Sequence, residues 1–340
     1  MEPVEKCIRE AGFDLFGVLP VGASTTVDAL KTWLGEGMHG TMDWMAREET
    51  VEKRSHPGKI LPHAQSLITL AFQYTPYEIP AELLHDPSRG IIARYALYDD
   101  YHLVIQKKLQ QLVEGLQREF GAFEWKAYVD TGPFLEREWA AAAGLGYIGR
   151  NSNLIHYQLG SYLFLAELLV SIPLPEFRRP ERGSCARCVR CIDQCPTGAI
   201  VADKTIDARK CISYITIEHR GAIPEWIRPL MKNRIYGCDI CQEVCPWNSG
   251  RAAQKKADFV VREDLVAPKL STLLFFDDAA FRARFARSPI KRAKREGFMR
   301  NVAVALGNWK SDEARGLLNS IIEEDPSPLV REHAKWGLPY

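Results

Sequence analysis

The chain has 340 residues, 46% of them hydrophobic and 26% charged, with a formal net charge of +1. That length predicts two or three domains and a sizeable buried core. The near-neutral balance excludes a global pull on polyanions, so any contact with a nucleic acid must use a local patch.

The opening residues, MEPVEKCIREAGFD, mix charges and lack the apolar segment of a signal peptide. The longest apolar candidate for a span, SYLFLAELLVSIPLP, is too short and carries Glu167. A cytoplasmic protein without membrane attachment is expected.

Residues 1–180 read as one mixed α/β domain. VEKCIREAG begins a helix, and VDALKTWLGEGMHGTMDWMA offers two more, broken between Gly35 and Gly40. SLITLAFQYTP is an apolar run of strand length closed by proline. The segment from Asp99 to Gly121 repeats apolar residues at helical spacing: Leu103, Val104, Leu109, Leu112, Val113 and Leu116. EWKAYVD alternates as a strand, and PFLEREWAAAAGLG is a helix with proline at its start and glycine at its end. SYLFLAELLVSI fits a buried strand or a helix, and its brevity favours the strand.

Several polar loops adjoin these elements. KRSHPGKILPHA gathers Lys53, Arg54, His56 and Lys59 between prolines. GIIARYALYDDYH brings Arg94, Tyr95, Asp99, Asp100 and His102 to the start of the long helix, and YIGRNSNLI adds Arg150 and Asn151. In YVDTGPFLER, Asp130 stands at the end of a strand before a turn and a helix, where it serves as a cap or as an acid at the strand's mouth. Together these loops fit a cofactor cavity better than separate solvated turns.

PLPEFRRPERGS leads into a cysteine-rich segment over 181–250. Eight of the nine cysteines fall there; Cys7 stands apart and reads as an ordinary thiol. Cys185, Cys188, Cys191, Cys195 and Pro196 follow C-x2-C-x2-C-x3-C-P, the ferredoxin spacing in which three thiolates hold one 4Fe–4S cluster and the fourth holds the other. A second run, Cys238, Cys241, Cys245 and Pro246, lacks the leading cysteine, since Ile235 occupies its place. Cys211 supplies the missing ligand. The crossover assigns Cys185, Cys188, Cys191 and Cys245 to one cluster, and Cys195, Cys211, Cys238 and Cys241 to the other. Two four-cysteine zinc sites are the alternative, but zinc has no need of two runs that each close with Cys-Pro.

Residues 251–340 read as a helical tail. MRNVAVALG recurs in weakened form as VREHAKWGL, with Arg300 and Ala303 matched by Arg331 and Ala334, the pattern of HEAT-like helix pairs. Between Arg282 and Arg300 the chain carries eight basic residues and one acid, Glu296. This stripe is a candidate phosphate-binding surface, or else a solvated helix face.

The two cysteine runs, combined with VDTGPFLER, AGLGYIGRN, GSYLFLAE and RYALYDDYH, resemble the epoxyqueuosine reductases over essentially the whole chain. The resemblance implies an α+β multidomain fold: a mixed α/β cobalamin-binding domain over 1–180, a two-cluster ferredoxin-like domain over 181–250, and a HEAT-like, tRNA-binding helical part over 251–340. It implies reduction of epoxyqueuosine to queuosine at the wobble position of tRNA. Electrons would come from an external low-potential donor through two 4Fe–4S clusters to cobalamin, in a monomer. It makes Asp130 the proton donor and places Arg54, Ala93, Asp130, Leu154 and Leu165 around the cobalamin, with Ser213 in the stretch facing the corrin. Some relatives carry a cysteine where this chain has Ala93, so a thiol there is not essential. Arg287, Lys291, Arg292, Lys294 and Arg295 of the stripe would grip the anticodon stem, with Lys232 and Arg234 as further RNA contacts. For its role Asp130 must hold a proton near neutral pH, which requires desolvation to lift it above its ordinary value near 3.9. Two rivals remain at this point. One is a small-molecule corrinoid reductase of reductive-dehalogenase type, and the other an RNA-binding protein with structural clusters.

Overall fold

The computed structural model describes residues 1–74, 76–180, 182–249, 259–275 and 277–338. The connector expected after Trp247 lies largely outside these residues.

Four strands, β1 (Leu15–Pro20), β2 (Ser66–Gln73), β3 (Trp125–Tyr128) and β4 (Leu163–Val170), form an antiparallel sheet in the order β1-β2-β4-β3. The register sets Leu15 opposite Ala71, Ser66 opposite Val170 and Tyr128 opposite Glu167. Side chains alternate across the sheet. On one face Phe16, Val18, Ile68, Leu70, Phe72, Ala166 and Leu168 join the main core, which includes Val4 and Ile8 of the helix Glu2–Glu10 and Ile105, Leu109 and Leu112 of the helix Tyr101–Phe120. On the other face Leu15, Leu19, Leu67, Ala71 and Leu169 meet Trp139 and Ala140 of the helix Glu136–Ala142 and the adjoining Ala143. Burial on both faces explains why SLITLAFQ and LFLAELLV read as continuous apolar runs rather than alternating ones. The latter is a strand, as its brevity predicts.

Asp100 caps the long helix by accepting the His102 amide, and Gly121, at φ +79°, ends it. The helix after β3 starts at Glu136 rather than at Pro133. The intervening residues stay irregular and carry Asp130 at φ +59°.

The cysteine-rich segment is built from short pieces. Helices Arg190–Asp193 and Ile240–Glu243 pack against each other beside the hairpin Ile200–Ala202/Thr205–Ile206. The strand Arg234–Tyr236 runs parallel to Ile91–Ile92, which ties this segment to the N-terminal part next to Ala93. The tail packs helices Lys294–Trp309, Asp312–Glu324 and Pro328–Trp336 on one another. The glycines that close the two related motifs, Gly307 and Gly337, meet where the first and third of these helices cross. A Cβ on Gly307 would lie 2.7 Å from the Gly337 Cα, so neither position has room for a side chain. One apolar core runs from Val4 through Ile235 and Tyr236 to Ala334, joining all three predicted segments. No helix among the described residues is long and apolar enough to cross a membrane.

Candidate active site and cluster sites

All nine cysteines are free thiols. Cys185, Cys188, Cys191 and Cys245 line one small cavity with Asn151, Ile155 and Trp247. Cys191 and Cys245 each interact with Cys185, and Cys245 also with Cys188. Cys211 faces Cys195, while Cys238 and Cys241 face Cys211 and each other. Cys241 also feels Cys191, so the two sets adjoin. Among the described residues no three His, Cys, Asp or Glu side chains converge as they would on one metal ion. Backbone amides already point at sulfur: Arg150 N–H to Cys185 Sγ at 3.4 Å and Ala199 N–H to Cys195 Sγ at 3.3 Å. Such bonds raise a cluster's reduction potential by stabilising negative charge on its ligands.

Asp130 sits where the β3 loop, the N-terminus of the long helix and the tail meet. Its side chain is 61% exposed. The Tyr101 hydroxyl donates to Asp130 Oδ2 at 2.5 Å, and His102 Nε2 lies 3.7 Å from the same oxygen. His102 Nδ1 bonds Asp100 Oδ1 at 2.7 Å, and Lys291 of the tail reaches Asp100 Oδ2 at 2.8 Å. The result is a relay of alternating charge: Lys291, Asp100, His102, Asp130. Burial raises the Asp100 carboxyl, but His102 and Lys291 outweigh it and hold the group well below the usual carboxylate range. Burial alone would lower His102; its bond to Asp100 and the nearby Asp130 carboxylate win and lift it to about 9. The surrounding protein pushes Asp130 up, yet the adjacent His102, the Tyr101 hydrogen bond and the Arg292 charge bring it below its ordinary value. The expectation that desolvation keeps Asp130 neutral is therefore corrected. Resting Asp130 is a carboxylate facing an imidazolium, because the opposite charges and the Tyr101 hydroxyl beside it favour its charged form.

Arg54 is buried beneath Trp44, its guanidinium 5.7 Å from the ring centroid, and donates through Nη1 to the Met45 carbonyl at 3.4 Å. Its Nε is buried without a partner. Leu154 and Leu165 share the Trp139 side of the sheet, the same side as Glu136, whose charge Arg54 feels. Glu136 Oε1 accepts the Asp130 amide at 2.7 Å. Ala93 and Ser213 belong to a second wall. Ala93 is buried against Gly237, where a Cβ would come within 2.5 Å of the Ala93 Cβ. The Gly237 amide donates to Thr216 on the helix Ile212–Ile217, which also carries Ser213. Leu154 and Leu165 thus share one apolar cluster, Arg54 and Asp130 are linked through Glu136, and Ala93 and Ser213 lie toward the cysteine segment.

The basic stripe divides. Arg287, 73% exposed, pairs with Asp99 at 2.9 Å. Arg292 forks onto Glu218 at 2.7 and 2.9 Å and acts on Asp130. Lys294 and Lys232 are exposed, and Arg234 is half-buried beside Cys238. Arg295 departs from the expectation of an RNA contact. It is 5% exposed and doubly bonded to Asp325, so its charge is spent inside the protein. Arg300 is likewise buried and donates to the carbonyls of Ile215, His219 and Gly221. Arg284 pairs with Asp264. The stripe is in part an internal scaffold that joins the tail to the site.

Tyr101, Glu136 and Glu167 were missed as site residues by sequence reasoning. The readable signal for Glu167 was an acid in the middle of an otherwise apolar strand, LFLAELLV.

Two family models match this chain: "4Fe-4S double cluster binding domain" over residues 184–248 and "Epoxyqueuosine reductase QueG, DUF1730" over residues 54–131. Curated relatives named epoxyqueuosine reductase include those of Xanthomonas campestris pv. campestris, 43% identical over 97% of this chain and 93% of the relative, and Escherichia coli K12, 41% identical over 97% and 86%. A crystal structure of epoxyqueuosine reductase with an epoxyqueuosine-modified tRNA-Tyr stem loop superposes with a TM-score of 0.89 at 30% identity, covering 99% of this chain and 88% of that one. A Bacillus subtilis epoxyqueuosine reductase, whose catalytic aspartate loop is swung out of the active site, superposes with a TM-score of 0.89 at 29% identity over 99% and 88% of the two chains. With these identities spanning nearly the full length, the chain belongs to the epoxyqueuosine reductase family.

Proposed function

We propose that this chain reduces epoxyqueuosine to queuosine at the wobble position of tRNA, with Asp130 as the group that protonates the departing oxygen. The observation that carries this is the Lys291–Asp100–His102–Asp130 relay at the junction of the sheet domain and the tail, with the cysteine segment tied to the same part of the sheet domain at Ile91–Ala93. Family membership sets the reaction, and the relative bound to a modified stem loop supports tRNA as the substrate.

Opening the epoxide to the alkene consumes two electrons and two protons and releases one water. Two 4Fe–4S clusters would supply one-electron transfer from an external low-potential donor, and cobalamin would supply reduction at the substrate carbon. The cysteine sets fit the clusters in number and arrangement. Cobalamin fits on a separate observation: a buried guanidinium, Arg54, whose Nε has no partner. The amide and phosphate oxygens of a corrinoid are acceptors for such a donor. Arg54, Leu154 and Leu165 would hold one side of it, and Ala93 and Ser213 the side toward the clusters. A side chain at Gly237 would run into Ala93.

Asp130 passes a proton that it first receives from His102. The imidazolium stands 3.7 Å from Oδ2 and is held in orientation by Asp100. Tyr101 fixes the carboxylate. Arg287 and Lys294, exposed on the tail, are available for stem phosphates. Single-stranded loops admit a splayed base to such a pocket. A small-molecule corrinoid reductase has no use for this basic face.

The test is conversion of epoxyqueuosine-bearing tRNA by the anaerobic, reduced protein, with nucleosides read by mass spectrometry. Wild type should remove one oxygen, and Asp130→Asn should be slower by about 10²- to 10⁴-fold while keeping its iron and cobalamin. Full activity in Asp130→Asn would remove Asp130 from the chemistry.

A further inference from the structure

The two cysteine sets face different surroundings. Cys238 follows Gly237, which packs against Ala93, and the Arg94 amide donates to Asp239 Oδ2 at 2.7 Å. Cys211 and Cys238 pack against an apolar cluster that holds Ile212, Met231 and Val304 of the tail, with Trp33 of the sheet domain beside them. The second set is thus enclosed by the sheet domain and the tail. The first set lies toward solvent. Cys185, Cys188 and Cys191 alternate with exposed Ala186, Arg187, Val189 and Arg190. Arg190 also lines the cavity that these cysteines share with Cys245.

The rim of that cavity is basic. From Arg182 to Cys195 the chain carries three arginines and one acid, Asp193. Arg182, Arg187 and Arg190 are all exposed, and none of them forms an ion pair with a described residue. Exposed Arg287, Arg292 and Arg315, by contrast, each hold an acid. Arg182 lies over Tyr157, its guanidinium 5.3 Å from the ring centroid. Arg150 reaches the same rim and donates through Nη2 to the Ala186 carbonyl at 3.2 Å, while its Nη1 takes up the charge of Asp203 at 3.0 Å. The Arg150 carbonyl accepts the amide of exposed Lys204 at 3.1 Å, which adds a further cation. Among these charges Val189 is 39% exposed. Like charges held on one face without internal acids repel one another and favour a partner that brings the acids.

We propose that this face docks the electron donor, a small one-electron carrier protein whose redox group is ringed by acidic side chains, and that electrons enter the chain at the first cysteine set. In the step the carrier loses one electron, the cluster held by that set gains it, and no covalent bond changes. Val189 supplies an apolar centre for the contact, and Arg182, Arg187 and Arg190 supply its charged rim. Electron-transfer encounters are small and transient, so a compact patch suffices. Opposite charge on the two faces speeds the encounter. A tRNA is the other polyanion that could meet this face. Residues 182–195 hold no aromatic side chain on which a splayed base could stack. The exposed cation next to the Asp130 relay is instead Arg287, paired with Asp99. The acidic carrier is therefore the better fit.

The inference rests on the reaction proposed above, so the test reads cluster reduction without any tRNA substrate. Protein loaded with iron, sulfide and cobalamin is mixed anaerobically with a reduced plant-type 2Fe–2S ferredoxin, an acidic carrier. Bleaching of the 4Fe–4S absorbance is followed by stopped flow. The wild-type rate should fall as salt rises. Arg182→Gln with Arg187→Gln should be slower by about 10-fold at low salt, with a flatter salt dependence. Arg182→Lys with Arg187→Lys should keep most of the wild-type rate. Reduced methyl viologen, a small cation, has no use for a basic docking face and should reduce the glutamine variant at least as fast as wild type. Affinity for a tRNA stem loop should be the same in all three proteins. The proposal is overturned if ferredoxin reduces the glutamine variant at the wild-type rate, if methyl viologen slows with it, or if the wild-type rate ignores salt. Loss of tRNA affinity in the glutamine variant also overturns it, by making the face an RNA contact. So does a wild type that methyl viologen reduces and ferredoxin does not. If wild type removes no oxygen from epoxyqueuosine, the reaction as read fails, while these rates still decide the docking face.

Discussion

Arg295→Met separates the two uses of the basic stripe. In the folded chain Arg295 Nη1 and Nη2 reach Asp325 Oδ2 and Oδ1 at 2.8 and 2.9 Å, and Nη1 also donates to the Phe275 carbonyl at 2.7 Å. The two side chains are 5% and 0% exposed, so solvent screens the pair little. The variant leaves the Asp325 carboxylate buried with only the Ser327 amide, at 2.9 Å. Removing one partner of a buried pair costs about 3–5 kcal/mol. At roughly 2–4 °C per kcal/mol for a chain of this class, melting of the tail should fall by about 6 °C or more. The assay is thermal unfolding at matched iron content, compared as midpoints because a multi-part chain need not unfold in two states. Arg295→Met with Asp325→Leu should recover most of the loss, since replacing both ions with apolar groups is often close to neutral. The reasoning is refuted if Arg295→Met melts within about 1 kcal/mol of wild type while its tRNA affinity falls and its salt slope shrinks by about one unit.

Removing the exposed charges instead, with Arg287→Gln and Lys294→Gln together, should leave melting nearly unchanged and reduce the slope of log affinity against log salt for a tRNA stem loop by about 1.5 units; an unchanged slope would return both residues to the solvated surface. Cys245→Ser should remove the cluster held by Cys185, Cys188 and Cys191 and spare the other, read by iron content and electron paramagnetic resonance of the reduced protein; loss of the second cluster alone would mean that the runs do not cross. His102 has a folded value of about 9, above its unfolded value near 6.5, so its ion pairs contribute fully below pH 6.5 and are lost as pH rises through about 9. Wild-type stability should drop across that window, and His102→Gln should drop less; equal curves would mean that the relay carries no charge.

Local covalent patterns were the most legible part of the chain. Cysteine spacing pointed to a two-cluster segment, and the double-cluster family model matches residues 184–248, because a cluster constrains residues close in sequence. The strand Leu163–Val170 was legible from its length. Asp130 was legible as a position but not as a charge, because the groups that set it, His102 and Arg292, arrive from the long helix and the tail. The stripe misled for a related reason. An arginine bound for solvent and one bound for a buried acid look alike in sequence, and Asp325, the partner that decides the matter for Arg295, comes 30 residues later. Glu167 gave a visible sign, one acid in an apolar strand, but its burial depended on the helix Glu136–Ala142 covering that face of the sheet.

Reductive removal of oxygen from epoxyqueuosine in tRNA can be observed in a single turnover under strict anaerobiosis. Protein reconstituted with iron, sulfide and cobalamin, then reduced, is mixed with epoxyqueuosine-bearing tRNA, and the nucleosides are read by mass spectrometry beside a control without cobalamin. The account predicts queuosine, one oxygen lighter, only in the complete mixture. Unaltered epoxyqueuosine in the presence of loaded, reducible clusters and bound cobalamin would contradict it.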